Sequence, residues 1–144
     1  WPFARNLALA GSAGGDAAAV WMRRDGDGKD AIWTRRFSTA GGWGALERLS
    51  TVGRWAESPN AAMNASGRLV VSWKQSDETN SIYQTWARVH DGTWHDAQRL
   101  ASSSQDGRVD WQRALAVGAS GRAVVLWSEY SSGSDEPLLG AFWP

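Results

Sequence analysis

Ten of the eleven tryptophans in this 144-residue chain fall into four columns that recur at intervals of 51 to 56 positions. The columns are Trp1, Trp55 and Trp111; Trp21, Trp73 and Trp127; Trp33 and Trp86; and Trp43 and Trp94. Gly15, Gly67 and Gly121 fix the same register independently, each six residues before a tryptophan of the second column. A unit written almost three times buries its surface chiefly against its neighbours, so the unit decides the fold.

Each unit opens on a short alternating segment and a small-residue turn, Ala65-Ser66-Gly67 or Ala119-Ser120-Gly121. A β-branched run that is apolar on both faces follows, Leu69 to Trp73 or Ala123 to Trp127, as a strand covered on both sides requires. Polar loops at 24–30, 75–80 and 131–137 lead to a third strand, 32–37 or 85–90 and less clearly 138–143. Gly42-Trp43 and Thr93-Trp94 then mark a turn into a short, charged outer strand. Four antiparallel strands in about 50 residues predict an all-β chain of β-propeller blades. The blades are placed at 1–52, 53–106 and 107–144, the last without its outer strand. Propellers close with about four to eight blades, so a ring needs another chain or further sequence, and two copies would supply six blades.

Fifteen basic and fifteen acidic residues cancel, which argues against nucleic acid as a partner. No apolar run approaches the roughly 20 residues of a membrane-spanning helix, and insertion into a membrane is not expected. The absence of cysteine excludes disulfides and thiolate zinc sites. His90 and His95 are the only histidines, with no third ligand at a motif spacing, so neither a metal nor a cofactor is expected. The loop Asp25-Gly26-Asp27-Gly28-Lys29-Asp30 lacks the bidentate glutamate of a calcium-binding EF-hand and reads as a solvated turn.

The segment 58–77, SPNAAMNASGRLVVSWKQSD, resembles a repeat of exported bacterial proteins and lipoproteins that reads roughly PxVAMDASGNAxAVWQQSDG. Ile32 to Phe37 with Gly41 to Ala45 is similar to the second half of that repeat, IWANRYxxGxGWGxAxxL. The resemblance implies a secreted or cell-surface β-propeller, and a family defined by architecture carries no agreed chemistry. Asp91-Gly92-Thr93-Trp94 is similar to a turn of small propeller lectins built from short chains. Sugar sites of those lectins use Arg, Glu and Trp from neighbouring blades; here only Trp and Arg recur at comparable places, and the acidic member is not evident.

Period-two alternation puts Trp33 and Arg35 on one face of a third strand, and Trp86 and Arg88 on the same face of the next. With Trp43 and Trp94 they are the candidate ligand-binding residues, since a pyranose face stacks on indole while guanidinium donates to its hydroxyls. The opposing reading is blade-on-blade packing, in which arginine stems cover the edges of indoles. Trp21, Trp73 and Trp127 end apolar strands and are expected in the core. No pair of carboxyls or activated tyrosine stands at a glycosidase spacing, so no catalytic residue is nominated and a non-enzymatic module is expected. The reading that follows is multivalent glycan binding at a cell surface by a homo-oligomer. A structural subunit that docks on another protein, or a fragment of a larger exported protein, is the alternative.

Overall fold

The computed structural model describes residues 3–100, 108–130 and 138–143, and every element in them is a strand. Blade 1 holds β1 (Arg5–Gly11), β2 (Ala17–Arg24), β3 (Asp30–Ser38) and β4 (Gly42–Arg48). Blade 2 holds β5 (Ala56–Met63), β6 (Leu69–Ser76), β7 (Tyr83–His90) and β8 (Gln98–Arg99). Blade 3 holds β9 (Arg108–Val117), β10 (Ala123–Tyr130) and β11 (Leu138–Trp143), so three strands are described in it. Neighbours in each sheet follow chain order and run antiparallel, the up-and-down meander of a propeller blade. Among the described residues no helix is long and apolar enough to cross a membrane. Trp1, the boundary at 106/107 and the loop at 131–137 lie outside the described residues.

The glycine column is explained by three superposable turns. Gly15, Gly67 and Gly121 have φ of 88°, 84° and 88°, and each donates its N–H to the carbonyl three residues back, on Ser12, Asn64 and Gly118. Those three residues in turn donate to the carbonyls of Asp16, Arg68 and Arg122. This is a type I turn closed by a glycine in the left-handed region, where a Cβ is unfavourable by about 1–2 kcal/mol. A second irregularity repeats as well: Asn6 and Ser58, 52 positions apart, take positive φ at the bulges of β1 and β5.

The two central tryptophan columns pair across strands. Trp21 stands opposite Trp33, and Trp73 opposite Trp86. The same register puts Leu139 opposite Trp127, and Trp143 opposite Ala123, the place of Phe37 in blade 1 and His90 in blade 2. Trp143, which has no column in the sequence, thus has a position in the repeat.

Blades 1 and 2 share one core. Ala18, Val20, Met22 and Ile32 of blade 1 pack against Leu69, Val71 and Trp73 of blade 2, with Ala8, Ala10, Ala61, Met63 and Trp86 at its margin. Blade 2 turns its other side, Val70 and Val89, to Ala123, Leu115 and Val117 of blade 3. Trp73 and Trp127 are buried, at 0% and 4% exposure. Trp21, expected in the core, is half-buried, because among the described residues no blade lies against its side of blade 1.

Candidate functional site

The six nominated side chains occupy two kinds of place. Arg35 and Arg88 hold the β3–β4 and β7–β8 turns, their Nε donating to the carbonyls of Gly44 at 2.7 Å and His95 at 2.5 Å. Arg88 also lies 5.6 Å from the centroid of the Trp94 ring. Trp94 reaches across to blade 1, where its Nε1 donates to Glu47 at 3.1 Å, and Glu47 is paired with Arg36 at 3.2 Å. Trp33 lies beneath the Arg23 guanidinium, 4.3 Å from its ring centroid. Trp43 is 51% exposed and meets Phe37 edge to face at 5.6 Å, as Trp94 meets His90 at 5.1 Å. Trp86 is half-buried beside the shared core. The structure brings Arg88 and Trp94 together; Trp33 and Trp86 lie in separate blades, on the same-facing side of each.

His90 is 8% exposed at the junction, and its Nδ1 is 3.4 Å from the Gly92 N–H. Burial, followed by the nearby Arg36 charge, pushes its imidazole below the ordinary histidine value, against smaller opposite effects of Glu47 and Asp91. The folded protein therefore prefers the neutral ring, whereas the unfolded chain takes up a proton near pH 6.5. Stability from this group is complete above about pH 6.5 and declines as pH falls from there toward the depressed folded value. Phe37 fills the equivalent place in blade 1, so His90→Phe is expected to flatten the decline between about pH 7.5 and about pH 5.5. Urea midpoints at the two pH values check this.

At the opposite end of the blades, the β4–β5 connection passes from blade 1 to blade 2. The 25–30 loop anchors it: Asp27 accepts the N–H of Lys29 at 3.0 Å and of Gly53 at 3.1 Å, while Lys29 Nζ donates to the Gly53 carbonyl at 2.5 Å. The Lys29 N–H, chiefly, holds the Asp27 carboxyl below the usual range despite partial desolvation. Asp25 is engaged by Arg48. These carboxylates thus close a turn, and no group of three or more metal-ligating side chains occurs among the described residues.

Between this connection and the blade-1-facing side of blade 2 lies a cleft of about 290 Å3. It is lined by Trp86, Gln84 and Arg99 of blade 2, by Thr51 and Arg54 of the connection, and by Asp77 and Glu78. Arg54 donates from Nη1 to the Glu78 carbonyl at 2.5 Å, and its Nη2 lies 3.8 Å from Glu78 Oε1, with the Glu78 side chain 94% exposed at the mouth. Sequence reading missed Arg54, Arg99 and Glu78, since they stand outside the tryptophan columns. The only available signal was register, which sets Arg99 opposite Trp86. A larger hollow of about 500 Å3 at the other end, between the glycine turns, is lined by Asp16, Asn64, Arg68, His90 and Asp91, with no Trp, Tyr or Phe in its lining.

No protein-family model and no curated protein sequence matches the chain. Solved structures do. The chain is similar to the Hadza microbial sialidase Hz136, with a TM-score of 0.71 and 14% identity over 97% of this chain. It also matches a Penicillium chrysogenum alpha-L-arabinanase complexed with arabinobiose, with a TM-score of 0.49 and 10% identity over 94% of this chain. It spans 35% of the length of the sialidase and 43% of that of the arabinanase. The sialidase likeness corrects the expectation of a non-enzymatic module: a protein that shares its architecture is an enzyme, so the fold gives no ground for excluding catalysis. At this identity the sialidase likeness establishes the fold alone, and the fold is that of β-propeller blades.

Proposed function

We propose that this chain is the carbohydrate-binding part of an exported β-propeller protein, with the cleft between the β4–β5 connection and blade 2 as its site. The observation that carries the reading is the convergence of one indole, two guanidinium groups and the carboxylates of Asp77 and Glu78 from blade 2 and the β4–β5 connection. Trp86 offers an apolar wall to the C–H face of a sugar ring, Arg54 and Arg99 donate to hydroxyls, and Glu78 accepts from them. The volume suits a short saccharide, at the small end of ligand pockets of about 300–1,000 Å3. A sialidase among the structural neighbours supports a saccharide as the ligand class. Export rests on the resemblance of the repeats to those of secreted bacterial proteins. Of the six nominated residues, Trp86 belongs to this site; Arg88 and Trp94 serve the junction, and Arg35 holds a turn within blade 1.

A glycan array followed by calorimetry tests the reading. Arg99 is exposed on a two-residue strand, so Arg99→Ala is expected to keep the melting temperature and weaken saccharide binding about tenfold or more. Glu78→Gln is expected to act in the same direction. A folded protein that binds no saccharide, or an Arg99→Ala variant that binds like the parent, refutes the site.

A further inference from the structure

Among the described residues two sheet faces of the three-blade arc are uncovered, and the internal repeat points to what covers each. Leu9, Ala19, Trp21 and Trp33 share one side of blade 1 by register. Their counterparts in blade 2 are Ala61, Val71, Trp73 and Trp86, the side that packs onto blade 1. In blade 1 this side stands open: Leu9 is 69% exposed, and Leu46, on the same side opposite Arg35, is 42% exposed.

The surface that receives Trp73 and Trp86 is also written twice. On blade 1 it includes Ala8, Ala10, Ala18 and Val20, which lie under blade 2. In blade 3 the same register positions hold Ala114, Ala116, Val124 and Leu126. There the two alanines are exposed, and Val124 and Leu126 are only half-buried. One end of the arc thus presents a tryptophan-bearing face, and the other presents the small and aliphatic face that accepts it within the molecule.

We propose that the occupant of the blade 1 face is the blade 3 face of a second copy of this chain. A two-fold axis makes the contact twice, and two copies close a ring of six blades. The residues named on both faces are apolar, with Arg23 and Arg35 beside them on the blade 1 face, and neither contact needs a surface the molecule does not already pair internally.

Sedimentation of the purified chain tests this, with a discrete dimer of twice 15.7 kDa expected. Leu9→Asp places a charge on the blade 1 face, and Ala116→Asp places one on the blade 3 face. Each variant alone is expected to be a folded monomer by far-UV circular dichroism and sedimentation. Mixed in equal amounts they are expected to form a dimer, because one retains an intact blade 3 face and the other an intact blade 1 face. Leu9→Lys provides the same test should Leu9→Asp fold poorly. A monomeric parent, any discrete mass other than the dimer, or an Ala116→Asp variant that dimerises by itself overturns the proposal. The last outcome is that of blade 1 meeting blade 1. Saccharide binding is read separately, so failure here leaves the cleft to be judged on its own assay.

Discussion

Replacing Trp73 by alanine is expected to lower stability by about 3–5 kcal/mol, the range found when a large buried aromatic is truncated. Trp73 is 0% exposed, and it lies where Val20, Met22 and Ile32 of blade 1 meet Val71 of blade 2. Its removal therefore opens a cavity between blades instead of within one sheet, and both blades lose their partner surface together. Against a total stability of about 5–15 kcal/mol, such a loss brings the chain close to unfolding. The same substitution at Trp21, identical in the repeat but half-buried, is expected to cost about 1–2 kcal/mol, since only part of its surface leaves water. Urea unfolding of the two variants under conditions where the chain is monomeric checks the contrast. Equal losses would mean that the tryptophans stabilise within their own sheets and that the junction contributes little.

That contrast marks where sequence reading stops. The glycine column was legible because a positive φ is a backbone demand that recurs with every copy of the turn. Strand order was legible for a similar reason: turn residues and apolar runs repeat together, and antiparallel meanders need nothing else. Burial was not legible, because Trp21 and Trp73 are the same residue at the same place in the unit. What separates them is the neighbouring blade, which one unit cannot encode. The Trp and Arg of the third strand point to sugar recognition and to packing alike. In the structure both arginines are held by turn carbonyls, a role visible only once β3 and β4, or β7 and the 91–95 turn, are placed side by side. The cleft was hidden for another reason. Arg54 and Glu78 come from connections whose lengths differ between units, so no periodicity draws attention to them.

Gln75 is the residue next after Trp73 on the same side of β6, and its counterpart in blade 1 is Arg23. Substituting it is expected to produce the second large effect. Its side chain is 2% exposed and makes three hydrogen bonds. Oε1 accepts from the Thr51 backbone N–H at 2.8 Å and from Trp73 Nε1 at 3.3 Å, and Nε2 donates to Thr51 Oγ1 at 3.1 Å. An interior amide of this kind ties the β4–β5 connection to the tryptophan of the blade junction. Gln75→Ala removes all three bonds and leaves a cavity, at an expected cost of about 2–4 kcal/mol. Gln75→Met fills the volume without the bonds and separates the two contributions. It is expected to remain about 1–3 kcal/mol below the parent, because the Thr51 N–H loses its acceptor. Gln75 also lines the cleft and fixes Thr51, which lines it too, so the methionine variant is expected to bind saccharide more weakly even where it is fully folded. Denaturation midpoints and calorimetric titration of that variant separate the two consequences. A methionine variant as stable as the parent would show that packing alone holds the connection in place.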